Sequence, residues 1–220
     1  CIMEEAYSDK SNDYFSIIRE DIISFIGENQ KGLNVLEIGA GMGETLLELK
    51  KRGIASHISA FDIVDLNPNK EKFDRFFIGN IENQMNPFGL DEFDIIILAD
   101  VLEHLVDPEK AVAKLIPSLK KGGFLYISLP NIRNIKARYQ VFLKGSFQYT
   151  DSGIFDKTHL RFYCKKDMIQ LISLFDNLKI EKIESNLKHT YSKKTVLNKL
   201  TFGLFEEFLS LQFFLKVKLE

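Results

Sequence analysis

The chain has no tryptophan, two cysteines, five prolines and four histidines in 220 residues. Cys1 and Cys164 cannot make a disulfide framework, and they lack the spacing of a zinc-ligand pair. Cys164 is read as a packing residue, and a reducing cytoplasm is the expected setting. No apolar run reaches the ~18 residues that a membrane span needs. No secretory pattern opens the chain, and its start at Cys1 rather than Met is read as a trimmed end. Net charge is also scarce: 29 basic against 31 acidic residues leave −2. Bulk electrostatics therefore give no sign of a nucleic-acid partner. No internal repeat or low-complexity tract is present. What the chain has in quantity is hydrophobic residues, 45% of the total. Over this length they suffice for one substantial domain, residues 1–220.

One stretch carries most of the information. Leu33 to Ile38 reads as a buried strand that includes the acid Glu37, and glycines follow at every second position: Gly39, Gly41, Gly43. Such glycines remove side chains where a ligand lies against backbone. A helix over Glu44 to Lys51 would aim its N-terminal N–H groups at the same place. The loop is therefore expected to bind a nucleoside-like cofactor. A dinucleotide fingerprint needs its third glycine at the sixth place. That place is Glu44, whose carboxylate would repel a pyrophosphate.

The rest alternates strand and helix, which predicts an α/β fold with a mostly parallel sheet. An amphipathic helix is expected over Asp13 to Gly27, with Phe15, Ile18, Ile22, Ile23 and Ile26 on one face. Strands are expected at His57–Ile63, Lys72–Ile78, Phe93–Leu98, Phe124–Leu129, Leu178–Ile183 and Gln212–Leu219. Asp107-Pro108-Glu109 opens a helix running to about Leu119, ended by Lys120-Lys121-Gly122-Gly123. Asn131–Lys144 reads as helix, Gly145–Tyr163 as an irregular loop, and Lys166–Phe175 as helix. Lys188–Lys199 is basic and expected to be exposed. By region, 1–30 is a helical lid, 31–130 a cofactor-binding core, 131–165 a substrate-side helix and loop, and 166–220 C-terminal helices and strands.

The order Glu37-Ile38-Gly39-Ala40-Gly41-Met42-Gly43, then Asp100-Val101-Leu102-Glu103-His104-Leu105-Val106-Asp107-Pro108, then Leu129-Pro130-Asn131-Ile132 resembles class I S-adenosylmethionine-dependent methyltransferases. With Gly145–Tyr149 and Gly153–Tyr163 it is similar to the branch found in glycan and surface-polysaccharide (capsule) biosynthesis. The resemblance implies a Rossmann-like fold with a seven-stranded, mostly parallel sheet, helices on both faces and an antiparallel last strand. It implies S-adenosyl-L-methionine as cofactor. By position, Glu37 would face the methionyl ammonium. Gly39, Ala40, Gly41 and Gly43 would leave room for the methionyl and ribose portion. Asp62, followed by Ile63, would accept from the ribose hydroxyls. Asn80 stands where the family commonly has an acid reading the adenine amino group, and Ile81 would pack on the adenine face. Ala99 and Asp100 would line the methionine end.

An oxygen acceptor of high pKa needs a base as well as alignment. Of the four histidines, His57 and His189 are read as structural or exposed. His159 is the expected base, with Asp156 orienting it, and His104 is the second candidate. Asn131, Tyr149, Arg161 and Tyr163 are candidate acceptor-binding residues. A structural role competes for each: a helix cap for Asn131, an ion pair for Arg161, lid packing for the aromatics. No carboxylate cluster of the kind that holds magnesium in catechol-type enzymes is recognisable, so no metal is expected. The favoured reaction is O-methylation of a sugar, sugar nucleotide, phosphorylated small molecule or surface glycan by a monomer or homodimer. The alternative is N- or C-methylation of a quinone precursor, protein or RNA.

Overall fold

A computed structural model describes residues 17–65, 67, 70–189 and 192–220. Seven strands make one sheet: β1 Leu33–Ile38, β2 Ala55–Asp62, β3 Arg75–Ile78, β4 Phe93–Ala99, β5 Leu119–Pro130, β6 Leu178–Ser185 and β7 Gln212–Leu219. Their order is β3-β2-β1-β4-β5-β7-β6. Pairs from β3 to β5 are parallel, and β7 runs antiparallel between β5 and β6. This is the expected Rossmann-like architecture.

The apolar run of β4 explains its central place. Ile95 and Ile97 face one core with Val35, Ile58, Ala60, Tyr126 and Phe214. Ile96 and Leu98 face the other with Leu36, Ile38, Leu125, Ile127 and Phe213. A strand buried on both faces reads as a continuous hydrophobic run. Helices α1 (Glu20–Ile26) and α2 (Glu44–Lys51) cover the first face through Ile22, Ile23, Leu46 and Leu49. Helices α3 (Pro108–Leu115) and α5 (Lys165–Ser173) cover the second through Ala111, Val112, Leu115, Met168, Leu171 and Ile172.

Several boundaries differ from expectation for local reasons. The first helix begins at Glu20; Ile17 to Arg19 are not helical and Ile18 is exposed, while Phe15 and the rest of 13–16 lie outside the described residues. Asp107 caps α3 by accepting from Lys110 N at 3.2 Å, but Pro117 cannot donate an N–H, and Ile116–Ser118 tightens into a 3-10 turn. Lys120 to Gly123 then belong to β5 rather than to a helix end. The segment after β5 turns first: α4 is only Ile135–Arg138, capped by Asn134, and Tyr139–Leu143 continues as a π-helix. Residues 145–163 are an irregular loop as expected. Lys193–Leu200 forms α6 and Glu206–Leu209 forms α7. Among the described residues no helix is long and apolar enough to cross a membrane.

Candidate active site

A cavity of about 440 Å³ opens at the carboxyl ends of β1, β2 and β4. Here the strand order reverses on either side of β1, the usual ligand crevice of an open α/β sheet. From β1 and its loop the walls take Glu37, Gly39, Ala40 and Gly41; from β2, Asp62 and Ile63. Asn80 and Ile81 come from the segment after β3, and Ala99 and Asp100 from the end of β4. All were candidate cofactor residues. Gly43 is not on the wall.

Two of the glycines also answer a need inside the fold. Gly39 and Gly43 hold φ of +70° and +72°, where L side chains are strained. A Cβ on Gly39 would stand 2.8 Å from Val101 Cγ2, and one on Gly43 would strike the Phe73 ring. At these two positions the missing side chain admits protein packing. Asp62 then braces the turn: Oδ2 accepts from Gly41 N at 2.7 Å and Oδ1 from Val64 N at 3.0 Å. Ile63 N–H also acts on this carboxylate, and the acceptor capacity that remains can meet a diol. Asn80 Oδ1 accepts from Glu82 N at 2.8 Å, so part of its acceptor capacity is spent on its own turn.

Charge in the cavity is unusual. Glu37 is buried, and its Oε2 has no hydrogen-bond partner. Burial pushes its carboxyl up to about 8, against the pull of Arg19, with Asp62 adding to the rise. Arg19 lines the same cavity, with Nη1 2.6 Å from Asp100 Oδ2 and Nε 2.9 Å from Asp21 Oδ1. Burial opposes the guanidinium charge, but Asp100 and Asp21 overcome it and hold Arg19 more firmly protonated than usual. Asp100 sits at φ +55°, a strained setting for a non-glycine residue. Ser128 Oγ at 3.1 Å and Gln212 Nε2 donate to its Oδ1 and help fix it there. Asp100 thus enters through its side chain as well as its backbone.

At the cavity wall, His104 belongs to a second, buried group. The loop 154–163 is stitched onto the 3-10 turn Leu102–His104 by Leu160 N and Arg161 N, which donate to Glu103 O at 2.9 and 3.0 Å. This sets the His104 and His159 rings edge to face, centroids 4.7 Å apart. His104 Nδ1 lies 3.1 Å from Thr158 O, and His159 Nδ1 2.9 Å from Ile154 O. A carbonyl only accepts, so each Nδ1 donates and each neutral ring carries its lone pair on Nε2. At Nδ1 it is thus Ile154, not Asp156, that orients His159; Asp156 Oδ1 accepts from Thr158 N and Oγ1 at 2.9 and 2.7 Å. Of the two histidines, His104 is on the cavity wall and His159 is not.

The candidate acceptor residues are not brought to the cavity. Asn131 is fully buried: Nδ2 donates to Glu207 O and Ser210 O at 2.7 and 3.0 Å, and Oδ1 accepts from Arg133 N at 3.0 Å. It ties the end of β5 to the turn before β7, and the cap expected of it falls to Asn134. Arg161 donates to the carbonyls of Leu105 and Val106, so backbone takes the place of an acidic partner. Tyr149 is half exposed and packs on Phe147. Tyr163 is buried beneath the loop, where burial raises its hydroxyl above the usual range.

The methyltransferase domain family matches residues 12–177. This chain belongs to that family. It is 31% identical over 107 residues to the ubiquinone/menaquinone biosynthesis C-methyltransferase UbiE of Idiomarina loihiensis, covering 44% of this chain and 43% of that protein. It is 31% identical over 114 residues to the ubiquinone biosynthesis O-methyltransferase of Coxiella burnetii, covering 49% and 47%. The chain thus spans less than half the length of these relatives. A crystal structure of a SAM-dependent methyltransferase from Archaeoglobus fulgidus shares the fold, with TM-score 0.60 at 18% identity over 96% of this chain and 95% of that one. S-adenosylmethionine is the family's cofactor, and the chemistry of the cavity suits it: an orphaned buried acid can take a cation, and Asp62 keeps acceptor capacity for a diol.

Two participants escaped sequence reasoning. Arg19 gave no signal, because its partner Asp100 is 81 residues away. Glu103 stood in plain view beside His104, but its burial could not be read from the motif.

Proposed function

We propose that the domain transfers the methyl group of S-adenosylmethionine to a hydroxyl oxygen of a small molecule, sugar or glycan. The observation that carries this is the buried Glu103–His104–His159 group set against the cavity through His104. Glu37 takes the ligand's ammonium, Asp62 the ribose hydroxyls, and Ile81 packs on the adenine, with Asn80 beside its edge. The cofactor supplies an electrophilic methyl. The protein aligns the acceptor oxygen on the far side of that methyl. It also provides a place for the hydroxyl proton on the histidine pair, His104 being the member that faces the cavity. Arg161, occupied by two carbonyls, gives no support to a phosphorylated acceptor. A second reading, C-methylation of a quinone precursor, is favoured by the name of the Idiomarina relative.

The test is transfer of labelled methyl into extract of a strain lacking the gene, followed by hydriodic acid cleavage. Methyl ethers release the label as methyl iodide, whereas C-methyl groups retain it. Volatile label from small or glycan fractions supports the first reading. Retained label selects the second.

A further inference from the structure

We propose that Glu103, His104 and His159 form a binding site for a divalent transition-metal ion, with an open position for an acceptor hydroxyl. The hydroxyl part rests on the methyl-transfer reading above; the ion site itself does not. The sequence shows no carboxylate cluster and so predicts no metal. The donors here are two imidazoles and one carboxylate.

Three observations carry the site. First, all three side chains are buried and their donor atoms lie within 4.8 Å of one another. His159 Nε2 stands 3.9 Å from Glu103 Oε1. Two ligands held at about 2.0–2.2 Å by a tetrahedral ion stand about 3.4 Å apart. The pair at 3.9 Å would draw in by about half an ångström, and no other pair by more than about 1.4 Å. Second, Glu103 is 0% exposed, and neither carboxylate oxygen has a hydrogen-bond partner. A buried carboxylate is seldom left so unless something else satisfies it. Third, both histidines donate Nδ1–H to a backbone carbonyl. That is the outer-shell contact which fixes the tautomer of metal-binding imidazoles. Two nitrogens with one carboxylate suit zinc, manganese or iron better than magnesium or calcium. Three protein ligands leave further positions open, as in catalytic sites. His104 is shared by the site and the cavity wall, so an acceptor would reach an open position from the cavity. With the ion in place the imidazole lone pairs are taken, so the bound hydroxyl, made more acidic by the ion, would lose its proton to solvent and not to the histidine pair.

The experiment uses the full chain, stripped with EDTA, dialysed and titrated with Mn²⁺ while the free-ion EPR signal is followed. One Mn²⁺ per chain is expected. Glu103→Gln and His159→Gln should each weaken binding by more than ~10-fold. S-adenosylhomocysteine affinity, which neither residue serves, checks that both variants are folded. 4-Nitrocatechol is the hydroxyl probe: its visible band should shift with the Mn²⁺-loaded protein and not with the stripped protein. Failure of the wild type to bind Mn²⁺ or Zn²⁺, or equal binding by folded Glu103→Gln, overturns the site. Release of labelled methyl iodide from product made by ion-free protein would then leave the methyl-transfer reading standing without it. A bound ion that leaves the nitrocatechol band unmoved overturns the acceptor position.

Discussion

Binding of S-adenosylhomocysteine should release a proton, and Glu37 is its source. Burial holds the Glu37 carboxyl at about 8 in the empty cavity. At pH 7 about 0.9 of the molecules then carry the proton. A ligand ammonium beside the orphaned Oε2 favours the carboxylate, and a fall to 6 or below leaves about 0.1 protonated. The difference is about 0.8 proton per ligand. Roughly 0.1 is taken back by the ligand's own amine, whose ordinary pKa is near 8. Calorimetric titration at pH 7 in buffers of different ionisation enthalpy measures this number. The wild type should release about 0.7, and Glu37→Gln should release none and bind more weakly. The same shift fixes a pH trend in the empty protein. The folded state keeps a proton that the unfolded state has lost between pH 4.5 and 8, so stability falls as pH rises through that window, by at most on the order of 5 kcal/mol. Equal proton release by wild type and Glu37→Gln would refute the reasoning.

Two further substitutions separate scaffold from site. Asn131→Ala removes three buried hydrogen bonds and should cost about 2–4 kcal/mol in urea unfolding, with S-adenosylhomocysteine affinity unchanged. A large loss of affinity without a loss of stability would return Asn131 to the binding residues. Gly43→Ala places a Cβ at φ +72° against the Phe73 ring, and a loss of about 2–4 kcal/mol is expected. A melting temperature within a degree of wild type would show that the loop relaxes freely.

Much of the fold was legible because its signals are local. The run Ile95-Ile96-Ile97-Leu98 announced a strand buried on both faces, and Asp107-Pro108 announced a helix start. Most residues that line the cavity were legible because strand ends put them in fixed positions along the chain. The acceptor side was not. Asn131 looked like a cap or a ligand-binding residue because its true partners, the carbonyls of Glu207 and Ser210, are 76 and 79 residues away. Arg161 looked free to hold an anion because carbonyl partners leave no trace in a sequence. The helix expected over 131–144 was shortened by a turn that Asn131 and Asn134 build through side chains, which helical periodicity does not report.

The central claim is that the 440 Å³ cavity at the ends of β1, β2 and β4 is the S-adenosylmethionine site. Its most direct test is calorimetric titration of S-adenosylhomocysteine into wild type and Asp62→Ala. The account predicts one site per chain in the wild type and affinity at least ~10-fold lower in the variant, equivalent to about 1.4 kcal/mol. No binding by the wild type, or undiminished binding by a folded Asp62→Ala, would contradict it.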